Sequence, residues 1–148
     1  MAETQSVQGT QSVQGTWTYR SFHDDSGLVG GDPAKAAALI FGEGAFTLTQ
    51  TQDGSVSGKL DMGGGYALDI AGHFQAGVTG PALLQMAGTG IDGTPTEGWE
   101  YDYQAFPAPM WPGAVEQAAT LVGTTIRAKP HNGQPAGVTA SIVMVFAL

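Results

Sequence analysis

Residues 43–62 read Glu43-Gly-Ala-Phe-Thr-Leu-Thr-Gln-Thr-Gln-Asp-Gly-Ser-Val-Ser-Gly-Lys-Leu-Asp-Met62. Before the Asp53-Gly54 pair, Phe46 and Leu48 alternate with threonines. After it, Val56, Gly58, Leu60 and Met62 share one side. A period of two marks a strand with one buried face. Asp-Gly supplies the positive φ angles that a tight hairpin turn demands. The stretch therefore predicts two antiparallel strands, at about 43–52 and 55–62.

The same grammar extends in both directions. Upstream, a first strand is expected at about 13–22, with Val13, Gly15, Trp17 and Tyr19 on one face. Asp32-Pro33 then reads as a helix N-cap with proline at the first helical position, opening one short helix over Lys35 to Ile40. Downstream, Gly63-Gly64-Gly65 turns the chain into a fourth strand at about 66–75. Tyr66, Leu68, Ile70 and Phe74 face one way there, and Asp69, His73 and Gln75 the other. A fifth strand at about 82–91 ends at Asp92-Gly93. A sixth covers about 97–106, a seventh about 120–129 and an eighth about 137–147. Prolines keep 107–113 out of any central strand, and Ala114 to Ala119 reads as a helical turn. Eight strands with short connections predict an all-β fold, a single eight-stranded antiparallel up-and-down β-barrel. Its domain is expected at 13–148. QSVQGT repeats at 5–10 and 11–16, and residues 1–12 read as a flexible N-terminal arm.

Composition narrows the function. Among 148 residues there are five Lys+Arg and thirteen Asp+Glu, a net charge of −8. Such a chain lacks the basic footprint that nucleic-acid binding requires. With no cysteine there is no disulfide framework, zinc ribbon or cysteine nucleophile. No apolar run reaches the ~18 residues of a membrane span. No basic segment followed by an apolar one opens the chain, which favours a cytoplasmic over a mature secreted form. The 23 glycines fall between alternating apolar residues, so they read as turns, bends and close backbone approaches.

Gly15-Thr16-Trp17 in the first strand resembles the Gly-x-Trp signature of the calycins, the lipocalin and avidin group. Gly54-Ser-Val-Ser-Gly58, followed by Tyr66-Ala-Leu-Asp-Ile-Ala-Gly72, is similar in style to avidin hairpins. The resemblance implies a small barrel over the whole chain and a small-molecule ligand. It also implies that Arg127, on a late strand, packs over Trp17 as the late arginine of lipocalins does. The lipocalin disulfide is absent and the avidin tryptophan set has no residue-by-residue counterpart, so biotin is not carried over.

The sixth strand holds the richest candidates. Trp99, Tyr101 and Tyr103 share one face; Glu100, Asp102 and Gln104 share the other. The rings would line an apolar cavity or form ordinary barrel core. Buried carboxylates would carry raised pKa values suited to acid–base work, and on an outer face they are simply solvated. The two faces exclude one another as pocket linings. Exposing three large rings is the costlier choice, so the aromatics are expected inward. Arg20 and Arg127 both lie in strands; pairing with a carboxylate is the expected role, and closing the barrel bottom or holding a ligand carboxylate are the alternatives. Phe106-Pro-Ala-Pro-Met-Trp-Pro-Gly113 is a stiff apolar loop in which Trp111 would cap or plug a barrel mouth. His23, His73 and His131 lack HxH or HExxH spacing, so no metal site is expected, although His23 and His131 flank neighbouring strands and a shared rim position is open to them. No P-loop, GxGxxG or GxSxG occurs, and no cofactor is expected.

The expected function is binding of a small apolar or aromatic molecule in the barrel, against Trp17, Tyr19, Tyr66, Trp99, Tyr101, Tyr103 and Trp111. The alternative is a cofactor-independent enzyme of cyclase or isomerase type acting on a hydrophobic substrate, with Tyr19, Tyr101 or Tyr103 as its acid or base. In size and strand count the chain resembles the allene oxide cyclases and the barrel-type spirotetronate cyclases. A filled structural barrel is the third reading. An apolar outer strand face with Val143 and Val145 would allow a homodimer.

Overall fold

The computed structural model describes residues 12–77 and 80–147. The first eleven residues, which hold most of the expected N-terminal arm, lie outside the described residues. The strands are β1 (Gly15–His23), β2 (Ile40–Gln50), β3 (Ser55–Asp61), β4 (Ala67–Gln75), β5 (Leu83–Gly90), β6 (Glu100–Pro107), β7 (Thr120–Arg127) and β8 (Thr139–Val145). They pair in sequence order, all antiparallel, and β8 closes on β1, with Arg20 opposite Val143 and His23 opposite Ala140. This is the eight-stranded up-and-down barrel, and it fits a calycin-like fold in general. Closure leaves neither β1 nor β8 as an open edge.

Two short helices, not one, follow β1. They are α1 (Ser26–Val29) and α2 (Pro33–Ala38). Asp25 caps the first by accepting from Gly27 and Leu28 amides, and Asp32 caps the second by accepting from Ala34 and Lys35. The sequence shows the second cap through Pro33; the first is missed because Ser-Gly-Leu-Val has no helical period. The expected helical turn at 114–119 does not form. No helix among the described residues is long and apolar enough to cross a membrane.

The C-terminal ends of β1, β3, β5 and β7 define the upper end of the barrel. Its connections are 24–39, 62–66, 91–99 and 128–138. The lower end carries the turn at 51–54 and the long connection 108–119, with the described start and finish of the chain. Alternation fills the interior. On β6, Tyr101, Tyr103 and Ala105 are buried, while Asp102 and Gln104 are exposed. Close approaches explain some glycines. A Cβ at Gly123 would stand 1.9 Å from the Gln104 carbonyl oxygen, so only glycine lets β7 lie against β6 there.

The lower half is solid. Trp17 is 1% exposed, donates its indole N–H to the Val13 carbonyl at 2.8 Å, and meets Phe146 edge-on at 5.1 Å. Leu48, Leu121 and Met144 fill the space around it with no residual exposure above a few per cent. Above this plug, Tyr19, Phe46 and Tyr103 meet edge to face, with centroids 5.2 to 6.1 Å apart. This aromatic layer is the floor of the upper end. Outside, Val143 lies opposite Val122, and both are partly exposed.

Candidate functional site

A pocket of about 510 Å³ occupies the upper mouth. Tyr19 and Tyr103 lie at its floor. Its walls include Phe41, Met62, Leu68 and Tyr101, and its rim Ile40, Tyr66, Trp99 and His131. Arg127 lines it as well. This volume falls in the range of small-molecule sites, which are mostly apolar with a few fixed polar groups.

Each wall has a local cause. The β1–β2 register places Ser21 opposite Gly42 and Phe22 opposite Ile40, skipping Phe41. Such a bulge re-aims a side chain. Here Phe41 turns into the mouth, 5.9 Å from the Tyr101 ring and 4.9 Å from the His23 ring. His131 is carried by a tight hairpin tip. Asn132 and Gly133 have φ angles of 49° and 75°, the pair of positive values of a type I′ turn. His131 and Gln134 exchange backbone hydrogen bonds across it at 3.1 and 2.8 Å. The tip folds back so that the imidazole stacks on Trp99 at 3.9 Å and 16°.

At the centre stands the Tyr101 hydroxyl. Arg127 Nε donates to it at 3.0 Å, and His131 Nε2 lies 2.5 Å from it. A guanidinium nitrogen only donates, so Tyr101 Oη accepts from Arg127, and the direction of its bond with His131 Nε2 is set by the imidazole tautomer. His131 Nδ1, on the other side of the ring, is buried and has no hydrogen-bond partner among the described residues. Burial, and next the Arg127 charge, hold His131 below its ordinary value, in keeping with the neutral form. Arg127 Nη1 donates to the Pro135 carbonyl at 3.1 Å, and its guanidinium lies 5.3 Å from the centre of the Phe41 ring.

The three tyrosines named from sequence have distinct surroundings. Tyr19 donates to Ser21 Oγ at 2.9 Å, and burial pushes its hydroxyl up to about 12. Burial also pushes Tyr103 well above its ordinary value. Both stay protonated at neutral pH. Tyr101 alone touches a histidine and an arginine together.

Of the seven ligand-contact residues expected from sequence, Tyr19, Tyr66, Trp99, Tyr101 and Tyr103 line this pocket. Trp17 and Trp111 do not. Trp17 is packed into the lower plug. Trp111 sits in the lower connection, 75% exposed, and neither caps nor plugs a mouth. Trp99 precedes β6, and Tyr66, 43% exposed, precedes β4, so both belong to the rim. Arg127 does not pack over Trp17: β7 carries its guanidinium to the upper end, against Phe41 and Tyr101. Among the described residues it does not pair with a carboxylate. Arg20 does, meeting Glu43 on the exposed outer face at 3.9 Å.

Phe41, Met62 and His131 were not expected in the site. Phe41 fell between an expected helix and strand, and His131 was placed on a rim beside His23. In the structure His131 instead contacts Trp99 and Tyr101, while His23 packs on Phe41. Among the described residues, no three His, Asp or Glu side chains gather as a metal site. The outward carboxylates are solvated; Lys129 meets Glu100 at 3.4 Å, and partial burial, then Glu100, raise Asp102. Comparison with family models, curated proteins and solved structures gives no match.

Proposed function

We propose that this barrel binds one small aromatic or apolar molecule in its upper mouth. The observation that carries the reading is the half-filled interior: a packed lower plug, then a roomy aromatic chamber with one polar cluster at its wall. The Gly15-Thr16-Trp17 segment at the start of β1 supports a lipocalin- or avidin-type habit for such a site. Thermal shift with a library of one- and two-ring compounds tests the reading. A ligand at a hundred times its Kd raises stability by about 2.7 kcal/mol, a readily visible rise in Tm. No rise for any compound would leave a filled structural barrel as the better description.

A second reading, a cofactor-independent cyclase or isomerase, draws on the Tyr101 hydroxyl held between Arg127 and His131. In that reading Tyr101 gives its hydroxyl proton to the bound substrate, the Arg127 guanidinium stabilises the phenolate left behind, and the phenolate takes a proton back from the rearranged substrate, so the residue ends as it began. A recovered ligand that is chemically altered, together with loss of turnover but not of binding in Tyr101→Phe, would favour this reading. An unchanged ligand favours the binder.

A further inference from the structure

Arg127 is 7% exposed and lines the pocket. A buried cation is expensive unless a negative charge or several good acceptors compensate it. The described residues supply only part of that compensation. Two ion pairs form among them, Arg20–Glu43 and Lys129–Glu100, and neither includes Arg127. Its acceptors are neutral: the Tyr101 hydroxyl on Nε and the Pro135 carbonyl on Nη1. The Phe41 and Tyr101 rings add a further, weaker attraction. No hydrogen bond within the described residues engages Nη2, and Nη2 is not among the sealed, unpartnered atoms.

We propose that Arg127 is the anchor for a carboxylate, and that the pocket's ligand is an aromatic monocarboxylic acid. The inference rests on the pocket-binding reading above and names its ligand class. One uncompensated positive charge matches one negative charge, which favours a monoanion over a phosphate dianion. Arg20 and Lys129 lie outside the pocket, each with a carboxylate partner, so no second cation stands ready for a dianion. Glu43 also lines the mouth, but its carboxylate is directed to Arg20 on the outer face. The acid would seat its carboxylate on Arg127 and its ring toward Trp99 and Tyr66. Tyr101 and Pro135 hold the guanidinium in place before the ligand arrives, which reduces the ordering cost of binding.

Matched acids and amides separate charge from shape. Benzoate with benzamide, and 2-naphthoate with 2-naphthamide, are titrated at neutral pH by calorimetry. The acid of each bound pair is expected to bind about tenfold to a hundredfold more tightly, the span of a charged hydrogen bond over a neutral one. Arg127→Met should erase the preference within a pair, at whatever level the two affinities settle, and Arg127→Lys should keep most of it. The wild-type preference is a readout that does not depend on either variant folding. Acid and amide binding equally to the wild type would overturn the carboxylate anchor and leave the pocket reading standing. Failure of all four compounds to bind would count against the pocket reading and the anchor together. A preference that survives Arg127→Met would place the anion elsewhere and overturn the assignment.

Discussion

The two ends of this barrel are built from the same strands yet differ in kind. At the lower end little space is left: Trp17 packs against Phe146, its neighbour across the β1–β8 seam, and Leu121 and Met144 are fully buried. At the upper end inward side chains line the walls instead. Phe41, Tyr101 and Arg127 surround a chamber of about 510 Å³. The Tyr19–Phe46–Tyr103 layer divides them. Small barrels of this strand number have interiors that side chains fill or that hold one small ligand. This molecule combines the two along one axis. The plug supplies stability, and the mouth is left free to carry polar groups.

Substitutions should separate the halves, and the largest contrast is between two tryptophans. Trp17→Ala empties a packed site and should cost about 3–5 kcal/mol in denaturant unfolding. Trp99→Ala, at a half-buried rim position stacked on His131, should cost less, about 1–2 kcal/mol. Equal losses would erase the distinction between plug and mouth. The dividing layer comes next. Tyr19 ionises at about 12 when folded against 10.0 ordinarily, so its contribution is fully present below pH 10 and is lost as pH rises toward 12. The Tyr19 share of the loss is about 2–3 kcal/mol over that interval, and Tyr19→Phe should remove that share in a series of alkaline melts while the decline due to Tyr103 remains. The smallest effect belongs to the mouth and has the opposite direction. Because folding lowers His131 from 6.5, its neutral form is the stabilised one, and stability should decline as pH falls from 6.5 through the folded value. His131→Gln should soften that acid decline and leave the alkaline one unchanged. An acid decline identical in the variant would remove His131 from the account.

The barrel was legible because alternation is a local signal. Asp53-Gly54 marks one hairpin and Tyr101-Asp-Tyr fixes which face of β6 points inward. The site was legible only where it follows strand parity. Tyr19, Tyr101 and Tyr103 are inward by simple alternation, and so is Arg127, which shares a face with Leu121 and Thr125 on β7. That parity was obscured by Val122 and Ile126, apolar residues that lie on the outer side. Phe41 enters through a bulge, a one-residue irregularity that periodicity does not register. His131 enters through the fold-back of a turn whose Asn132-Gly133 signature is visible, although the strand it reaches is not. Strand parity already puts the Trp111 loop at the lower end; its apolar composition does not show that the ring stays outside the barrel, 75% exposed.

The three tryptophans report on three places: Trp17 in the plug, Trp99 at the mouth and Trp111 on the exposed lower loop. Their indole N–H signals in a ¹H–¹⁵N spectrum, followed through a titration with 2-naphthoate, test the division between plug and pocket most directly. A saturable shift of the Trp99 signal is expected, with those of Trp17 and Trp111 unmoved. A saturable shift at Trp17 or Trp111 with Trp99 unmoved would contradict that division.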